Sequence, residues 1–297
     1  MGEVNSTTKD KWNEIISKKL KAGQSIDDLK YTYDSGIVMD PNIVAEEVEG
    51  LDYYIDNLKP WINMAAIHQT DSSVVNRLAM TALNQGANGL YIILDEKSDV
   101  SIIFKDILTE YLQVTVDCSR LSSAKIKEQK SLLSPTKFPN VAWICNVEHR
   151  AIHISHNDRT QSLRSALQEV NSESQYTITV SMSKNILFEI ASLRALKIML
   201  QERDISNCTI IARYDVDGDN SLGDYNLIER TYKVMSGILG CADYVITDYD
   251  GSEESRLTLN IHNILDLESG FKDVLDPVGG SFYIEKLTSK IIQRVLS

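Results

Sequence analysis

The feature that most constrains the fold is a change of period along the chain. Apolar runs too short for helices alternate with longer stretches whose apolar residues recur every three or four positions. Eight runs read as strands: Ile62–Ile67, Leu90–Leu94, Leu112–Asp117, Val141–Asn146, Ala151–Ser155, Thr177–Ser183, Cys208–Arg213 and Asp243–Asp248. Between them lie helical stripes. Val75, Leu78, Ala79 and Ala82 form one, ending near Gly86. Ile186, Ile190, Leu193, Leu196 and Leu200 form a second. Ile228, Met235, Ile238 and Leu239 mark a third, closed by Gly240. Strand and helix in alternation predict a parallel sheet, and eight strands predict closure into an α/β fold of the TIM-type (β/α)8 barrel. One step breaks the rhythm. Only Val147–Arg150 separates the fourth and fifth runs, whereas a parallel crossover needs about a dozen residues. Elements near residues 120–160 are therefore expected to be trimmed or locally rebuilt.

The barrel is expected over residues 61–297, a length suited to one such domain. Residues 1–60 read as an arm, helical then extended. Trp12, Ile15, Ile16 and Leu20 share a helix face, and Tyr31–Ile37 is polar and extended. The arm is expected to pack on the barrel or on a partner.

A net charge of −12 argues against nucleic-acid phosphates and anionic membrane surfaces as partners. No run approaches the roughly 18 apolar residues of a membrane span. The polar stretch Met1–Lys11 carries no apolar signal segment. Cys118, Cys145, Cys208 and Cys241 form no C-x-x-C pair and lie in or beside apolar runs, so reduced, structural thiols and a cytoplasmic location are expected.

Thr177-Ile178-Thr179-Val180-Ser181-Met182-Ser183 alternates strictly between hydroxylic and apolar residues. In a barrel the apolar face meets helices, so Thr177, Thr179, Ser181 and Ser183 are expected to face inward, where bulky branched residues are usual. Two readings stand: a lumen that admits a polar, thread-like ligand, or hydroxyls that satisfy one another in a filled core. His149, His153 and His156 cluster, with Asp158 the nearby carboxylate after them, and read as surface or satisfied core residues rather than a metal site. Asp215-Val216-Asp217-Gly218-Asp219-Asn220 opens like an EF-hand loop. It departs at Asn220, where Gly is needed, and at Asn226, where a bidentate Glu is needed. It is better read as an acidic loop at the barrel mouth. The nucleotide-binding glycine motifs and the G-x-S-x-G elbow are absent.

The C-terminal third carries a longer pattern. Asn260-Ile261-His262-Asn263-Ile264-Leu265, then Glu268-Ser269, then Asp276-Pro277-Val278-Gly279-Gly280-Ser281-Phe282-Tyr283-Ile284-Glu285-Lys286-Leu287-Thr288 resembles the end of the barrel domain in the methylmalonyl-CoA mutase family, which reads N-T-Q-x-I-L, E-S and D-P-x-G-G-S-Y-Y-V-E-x-L-T. Tyr225–Thr231 through Met235-Ser236 to Gly240 resembles N-N-x-x-R-T-x-x-A-M-S-x-x-x-G-G-A-D, and Phe188–Ala195 resembles F-x-E-I-A-K-x-R-A. Trp12 to Leu20 and Tyr33–Ile37 resemble the W-x-x-x-x-x-x-x-L and T-x-E-G-I steps. The resemblance implies a barrel with acyl-CoA along its axis and a separate domain that binds adenosylcobalamin.

The departures matter equally. The cobalamin domain of the family carries D-x-H-x-x-G, and the residues two before the five histidines here are Ala66, Val147, Ala151, Ile154 and Asn260. The chain stops at Ser297, just past the barrel signature. It is expected to bind no cofactor itself and to lack a cobalamin-binding domain, adenosylcobalamin being implied for a partner or a missing domain. Where the family carries Tyr in Q-Y-A-G-F-S-T, this chain reads Ile67-His68-Gln69-Thr70-Asp71-Ser72. The family's catalytic His, in Y-H-x-x-G-A, is best placed at His153, with His156 nearly as good. The resemblance thus points to the small, non-catalytic subunit, which pairs with a methylmalonyl-CoA mutase large subunit as a heterodimer. A catalytic barrel borrowing cobalamin from another subunit, and a free-standing CoA-binding barrel, are the alternatives.

Overall fold

The computed structural model describes residues 8–33, 36–51, 53, 55, 61–133, 140–145, 149–214 and 224–297, the side chains of 224–226 excepted. The arm comprises α1 (Lys9–Ser17) and a two-stranded antiparallel ribbon, β1 (Tyr31–Thr32) and β2 (Val38–Met39). Then follow β3 (Ile62–Ile67), α2 (Ser72–Asn84), β4 (Gly89–Ile93), α3 (Val100–Ile103), β5 (Gln113–Asp117), α4 (Ser123–Leu132) and β6 (Val141–Ile144). The second half runs β7 (His149–Ile154), α5 (Arg159–Glu169), β8 (Gln175–Ser181), α6 (Ile186–Gln201), β9 (Cys208–Arg213), α7 (Asp224–Leu239), β10 (Tyr244–Asp248), α8 (Glu253–Leu267) and α9 (Phe282–Leu296).

All eight expected barrel strands form. They pair in parallel in the order β6-β5-β4-β3-β10-β9-β8-β7, a TIM-type barrel in which β6 and β7 meet edge to edge. No backbone ladder joins those two strands among the described residues. Residues 145–148 are the whole link between them, too few for a helix to return the chain. The irregular step in the sequence is therefore where the barrel is rebuilt. α3, a single turn, is the other trimmed element.

Alternation divides the core. Ala65, Ile67, Leu90, Ile92, Val114 and Val116 face the helices on one side, and Tyr176, Ile178, Val180, Ile210 and Ala212 do so on the other. A smaller cluster lies inside the barrel: Met64, Ala66, Tyr91, Ile93, Ile144, Ile211 and Ile246. Helix stripes follow their spacing. In α2, Asp71 caps the N–H groups of Ser73 and Val74, and Val75, Leu78, Ala79 and Ala82 are buried. α6 is buried well beyond its expected stripe because α9 and the arm cover its other side. In α7 the expected Ile238 and Leu239 are buried and Met235 packs against the core, Val234 joins them, and of the expected stripe only Ile228 is half exposed. Gly240 does not close α7 by a left-handed turn; Cys241 takes that conformation, at φ 63°. Gly240 is small because a Cβ there would stand 2.6 Å from Leu193 of α6.

The arm packs on the barrel. Tyr33 stacks on Phe188 at 5.0 Å, and its hydroxyl lies 3.1 Å from that of Tyr283. Lys286 and Lys290 of α9 donate to the carbonyls of Glu47 and Val38. α1 contributes no buried side chain.

The expected C-terminal signature acquires a physical role here. Arg194 of α6 is fully buried, and its Nη1 donates to both carboxylate oxygens of Asp276, at 2.5 and 2.6 Å. Its Nη2 donates to Glu285 Oε1 at 2.9 Å, which also accepts the Gly280 N–H at 3.1 Å. Gly280 is left-handed at φ +78°, and a Cβ on Gly279 would stand 2.8 Å from the Asp276 carboxylate. The two glycines let the chain wrap the ion cluster before α9 begins.

Replacing Arg194 by Met would leave two carboxylates beside each other without a cation. The expected loss is about 3–5 kcal/mol in urea unfolding. The milder Asp276→Asn keeps a hydrogen-bond acceptor and should cost less. Losses below about 1 kcal/mol in both variants would show that the cluster is not what anchors α9.

Candidate functional site

Two regions gather polar side chains. The first is the barrel wall formed by β7 and β8. Their register sets His149 opposite Gln175 and His153 opposite Thr179. Each imidazole then reaches one step further along β8. His149 Nε2 lies 2.7 Å from Thr177 Oγ1, and His153 Nε2 lies 3.2 Å from Ser181 Oγ. Thr177 and Ser181 are buried, and Thr179 is half buried between them. Burial, and secondarily the Lys130 charge, hold His149 below the usual histidine pKa, so it is a neutral imidazole at pH 7. Ser183 lies past the end of β8, where its hydroxyl accepts the Asn185 N–H that opens α6.

A buried pair fixes the C-terminal ends of these strands. Arg159, at the start of α5, donates to the carbonyls of Ile154 and Ser181 and, at 2.6 Å, to Glu189 Oε2. Glu189 in turn accepts the Ser183 N–H at 3.0 Å. The clamp thereby holds His153 and Ser181 at their mutual distance. Arg159 was not foreseeable as part of it, since an arginine following a helix-capping Asp158 carries no signal of its distant partner. Inside the barrel, Met64, Tyr91, Ile93, Ile144, Ile211 and Ile246 form the apolar cluster already described. The wall offers hydroxyl and imidazole donors and acceptors.

The second region is a cleft of about 470 Å³ at the C-terminal ends of β3, β9 and β10, walled by the first turns of α8. This is the end at which barrel active sites are assembled. His68 and Gln69 enter from β3, Arg213 and Tyr214 from β9, Asp248 to Asp250 from β10, and Arg230 from α7. The cations are matched: Arg213 pairs with Asp248 at 2.9 Å and Arg230 with Glu254 at 2.7 Å. His68, at the place where the resemblance expects a tyrosine step, stands 2.9 Å from Arg120 Nη1. Beneath the cleft runs a buried chain: the Tyr214 hydroxyl meets Thr247 Oγ1 at 3.0 Å, and Thr247 meets His262 Nε2 at 3.3 Å. The acidic stretch Asp215–Asn220, and Asn226 of the same EF-hand reading, fall on residues outside this description. Sequence reasoning gave Arg213 and His262 no part, because each depends on register between distant segments.

Among the described residues, no group of three His, Cys, Asp or Glu side chains is arranged to hold a metal. Nor is any helix long and apolar enough to cross a membrane. His149, His153 and His262 bond to hydroxyls and His68 to a guanidinium, an environment that does not fit a histidine offered to cobalt with a carboxylate behind it.

The sequence model of the methylmalonyl-CoA mutase family matches residues 220–297. Over 77 residues the chain is 31% identical to the 2-hydroxyisobutanoyl-CoA mutase large subunit of Aquincola tertiaricarbonis, a match covering 24% of this chain and 14% of that protein's length. Of solved structures, the chain is similar to the dihydropteroate synthase of Yersinia pestis, with a TM-score of 0.36 and 10% identity over 82% of this chain and 99% of that one. The Burkholderia cenocepacia dihydropteroate synthase, solved with 7,8-dihydropteroate, gives a TM-score of 0.35 and 10% identity over 71% and 93%. Neither structural likeness reaches a level that bears on ligand or activity.

His262 gives this region a measurable signature. It is fully buried, and burial pushes its pKa down to about 3. Unfolded, it titrates near 6.5. As pH falls through 6.5 the unfolded chain takes a proton that the folded chain refuses until about pH 3, so stability is lost on acidification across that window. The slope from this residue approaches 1.4 kcal/mol per pH unit, by linkage. His262→Gln should flatten the profile, narrowing the loss between pH 7 and pH 4.5 by about 2 kcal/mol in urea unfolding. Superimposable profiles would show that His262 is not a buried neutral base.

Proposed function

We propose that this chain is a barrel subunit of the methylmalonyl-CoA mutase type. On this reading it resembles the small subunit, does no radical chemistry, and supports a large subunit that interconverts methylmalonyl-CoA and succinyl-CoA with adenosylcobalamin. The observation that carries the reading is the interior of the barrel. Met64, Tyr91, Ile93, Ile144, Ile211 and Ile246 are buried together there, where the resemblance would thread an acyl-CoA. The hydroxyls that would have greeted such a thread are engaged with His149 and His153. Rearranging a radical requires donors placed within a sealed, prealigned cavity. Ile67-His68-Gln69 supplies no tyrosine at the step where the resemblance expects one.

A second reading has its own support. The relative over 77 residues is named a large subunit, so a catalytic barrel that borrows a cobalamin-binding subunit is the competing assignment. The two separate on acyl-CoA. Calorimetry of the isolated chain with methylmalonyl-CoA is expected to give no heat at concentrations up to about 100 μM, while co-expression with a cobalamin-dependent mutase large subunit is expected to yield a stable complex. Micromolar affinity in the isolated chain, with turnover once a cobalamin-binding protein is added, would overturn the small-subunit reading and support the second.

A further inference from the structure

The reading above makes no use of Cys118, Cys145 and Lys130. Cys118 follows β5 directly and Cys145 follows β6 directly. The ladder between these strands ends at Asp117 opposite Ile144. The Cys118 N–H then donates to the Ile144 carbonyl at 2.9 Å, which in a parallel pair continues the register by one residue and sets Cys118 beside Cys145. Neighbouring parallel strands lie about 4.8 Å apart, within the Cα separation a disulfide spans. Both sulfurs turn to the same side of the sheet, into one apolar cluster. Each leans back along its own strand, Cys118 Sγ toward the Val116 carbonyl and Cys145 Sγ toward that of Trp143. Lys130 of α4 brings its ammonium to 3.5 Å from Cys145 Sγ and lies over the Trp143 ring.

We propose that Cys118 and Cys145 are a thiol pair that closes to a disulfide on oxidation, with Lys130 selecting Cys145 as the first sulfur to react. The oxidant is a small-molecule disulfide. Cys145, 3.5 Å from the Lys130 ammonium, gives its proton to solvent, attacks one sulfur of the oxidant and expels a thiolate that takes up a proton, leaving a mixed disulfide on Cys145. Cys118 gives up its proton to solvent and attacks the Cys145 sulfur. The second small thiolate leaves and the Cys118–Cys145 bond forms. Two protein thiols are oxidised and one small disulfide is reduced to two thiols. The first attack falls to Cys145 because its sulfur lies beside the ammonium. Burial and the adjoining Cys145 and Asp117 push the Cys118 thiol up to about 12.

The setting supplies the opening such a reaction needs. The helix over the pair, α4, buries one side chain completely, Gln129, held through the Val100 N–H. Cys145 also sits at the edge where, among the described residues, no ladder joins β6 to β7. A helix with so little buried surface opens at lower cost than the rest of the molecule.

The test is incubation of the full chain with oxidised glutathione, then denaturation, alkylation of remaining thiols and peptide mapping by mass spectrometry. The expected result is the loss of two alkylatable thiols of the four, recovered as one peptide pair joining Cys118 to Cys145, with Cys208 and Cys241 alkylated. Cys118→Ser should stop the reaction at a glutathione adduct on Cys145. Lys130→Gln should slow the first step about three- to tenfold, the effect of removing one nearby cation from a thiolate. A wild-type chain that keeps all four thiols, that joins any other pair, or that carries only a stable glutathione adduct overturns the pairing. An unchanged rate in Lys130→Gln overturns the role given to the lysine.

Discussion

Arg194 is the point on which the C-terminal half of the barrel depends. A guanidinium with no solvent contact is tolerable only when its charge is matched at close range, and Asp276 and Glu285 supply that match from two separate segments. Meeting it fixes the turn at Gly279-Gly280 and hence the direction in which α9 leaves. α9 then packs along α5 and α6, and the arm is laid over α6 and α9 through Tyr33, Phe188 and Tyr283. Burial alone favours the neutral carboxyl at Glu285, and it does hold that group above the usual carboxylate range against the opposing pull of Arg194. The cluster therefore works as a position device first. Its worth in stability lies chiefly in what would be left unpaired if one member were lost.

A second buried pair repeats the arrangement nearer the start of α6. Arg159 and Glu189 tie α5 to α6 and take in the carbonyls of Ile154 and Ser181, where β7 and β8 end. The half of the barrel with these clamps carries the His149–Thr177 and His153–Ser181 bonds. The half from β3 to β6 holds no such clamp among the described residues; it packs through apolar contacts, and Gln129 of α4 is buried with its side chain accepting the Val100 N–H. The break between β6 and β7 falls where the two halves meet. A four-residue link is too short for a crossover helix, and among the described residues β6 and β7 keep their places as strands with no ladder between them.

Much of this fold was legible in the sequence because it rests on local periodicity. The eight apolar runs became the eight barrel strands, and Val75, Leu78, Ala79 and Ala82 became a buried stripe. Boundaries were less legible. β8 stops at Ser181, so Ser183 serves the turn into α6 instead of lining the strand. Ile228 alone of its stripe is exposed, near the start of α7, whereas Ile238 and Leu239 at the far end are buried as their spacing predicts. Gly240 was read as a terminator, yet its constraint is the approach of Leu193 from another helix. Polar partners were the least legible. Nothing near Arg194 in sequence announces Asp276, and nothing near His262 announces Thr247, because both pairings follow from which helix lies beside which strand.

The placement of the matched stretch sharpens what similarity means here. Residues 220–297 contain Asp276 and Glu285 of the ion cluster, and also Arg230, Thr247 to Asp250 and the first turn of α8 at the cleft. The signature run Asp276–Ser281 belongs to the ion cluster and not to the cleft, so by itself it reports architecture. The β10–α8 wall of the cleft lies within the matched stretch, whereas the facing wall, His68 and Gln69, lies outside it. That facing wall is also where the chain departs from the tyrosine-bearing step of the resemblance. A barrel can keep its closing cluster and half of its mouth while the other half changes, since the two are built from different strands. The β3 side of the cleft, where Arg120 engages His68, is thus where this chain departs from the pattern its C-terminal stretch matches.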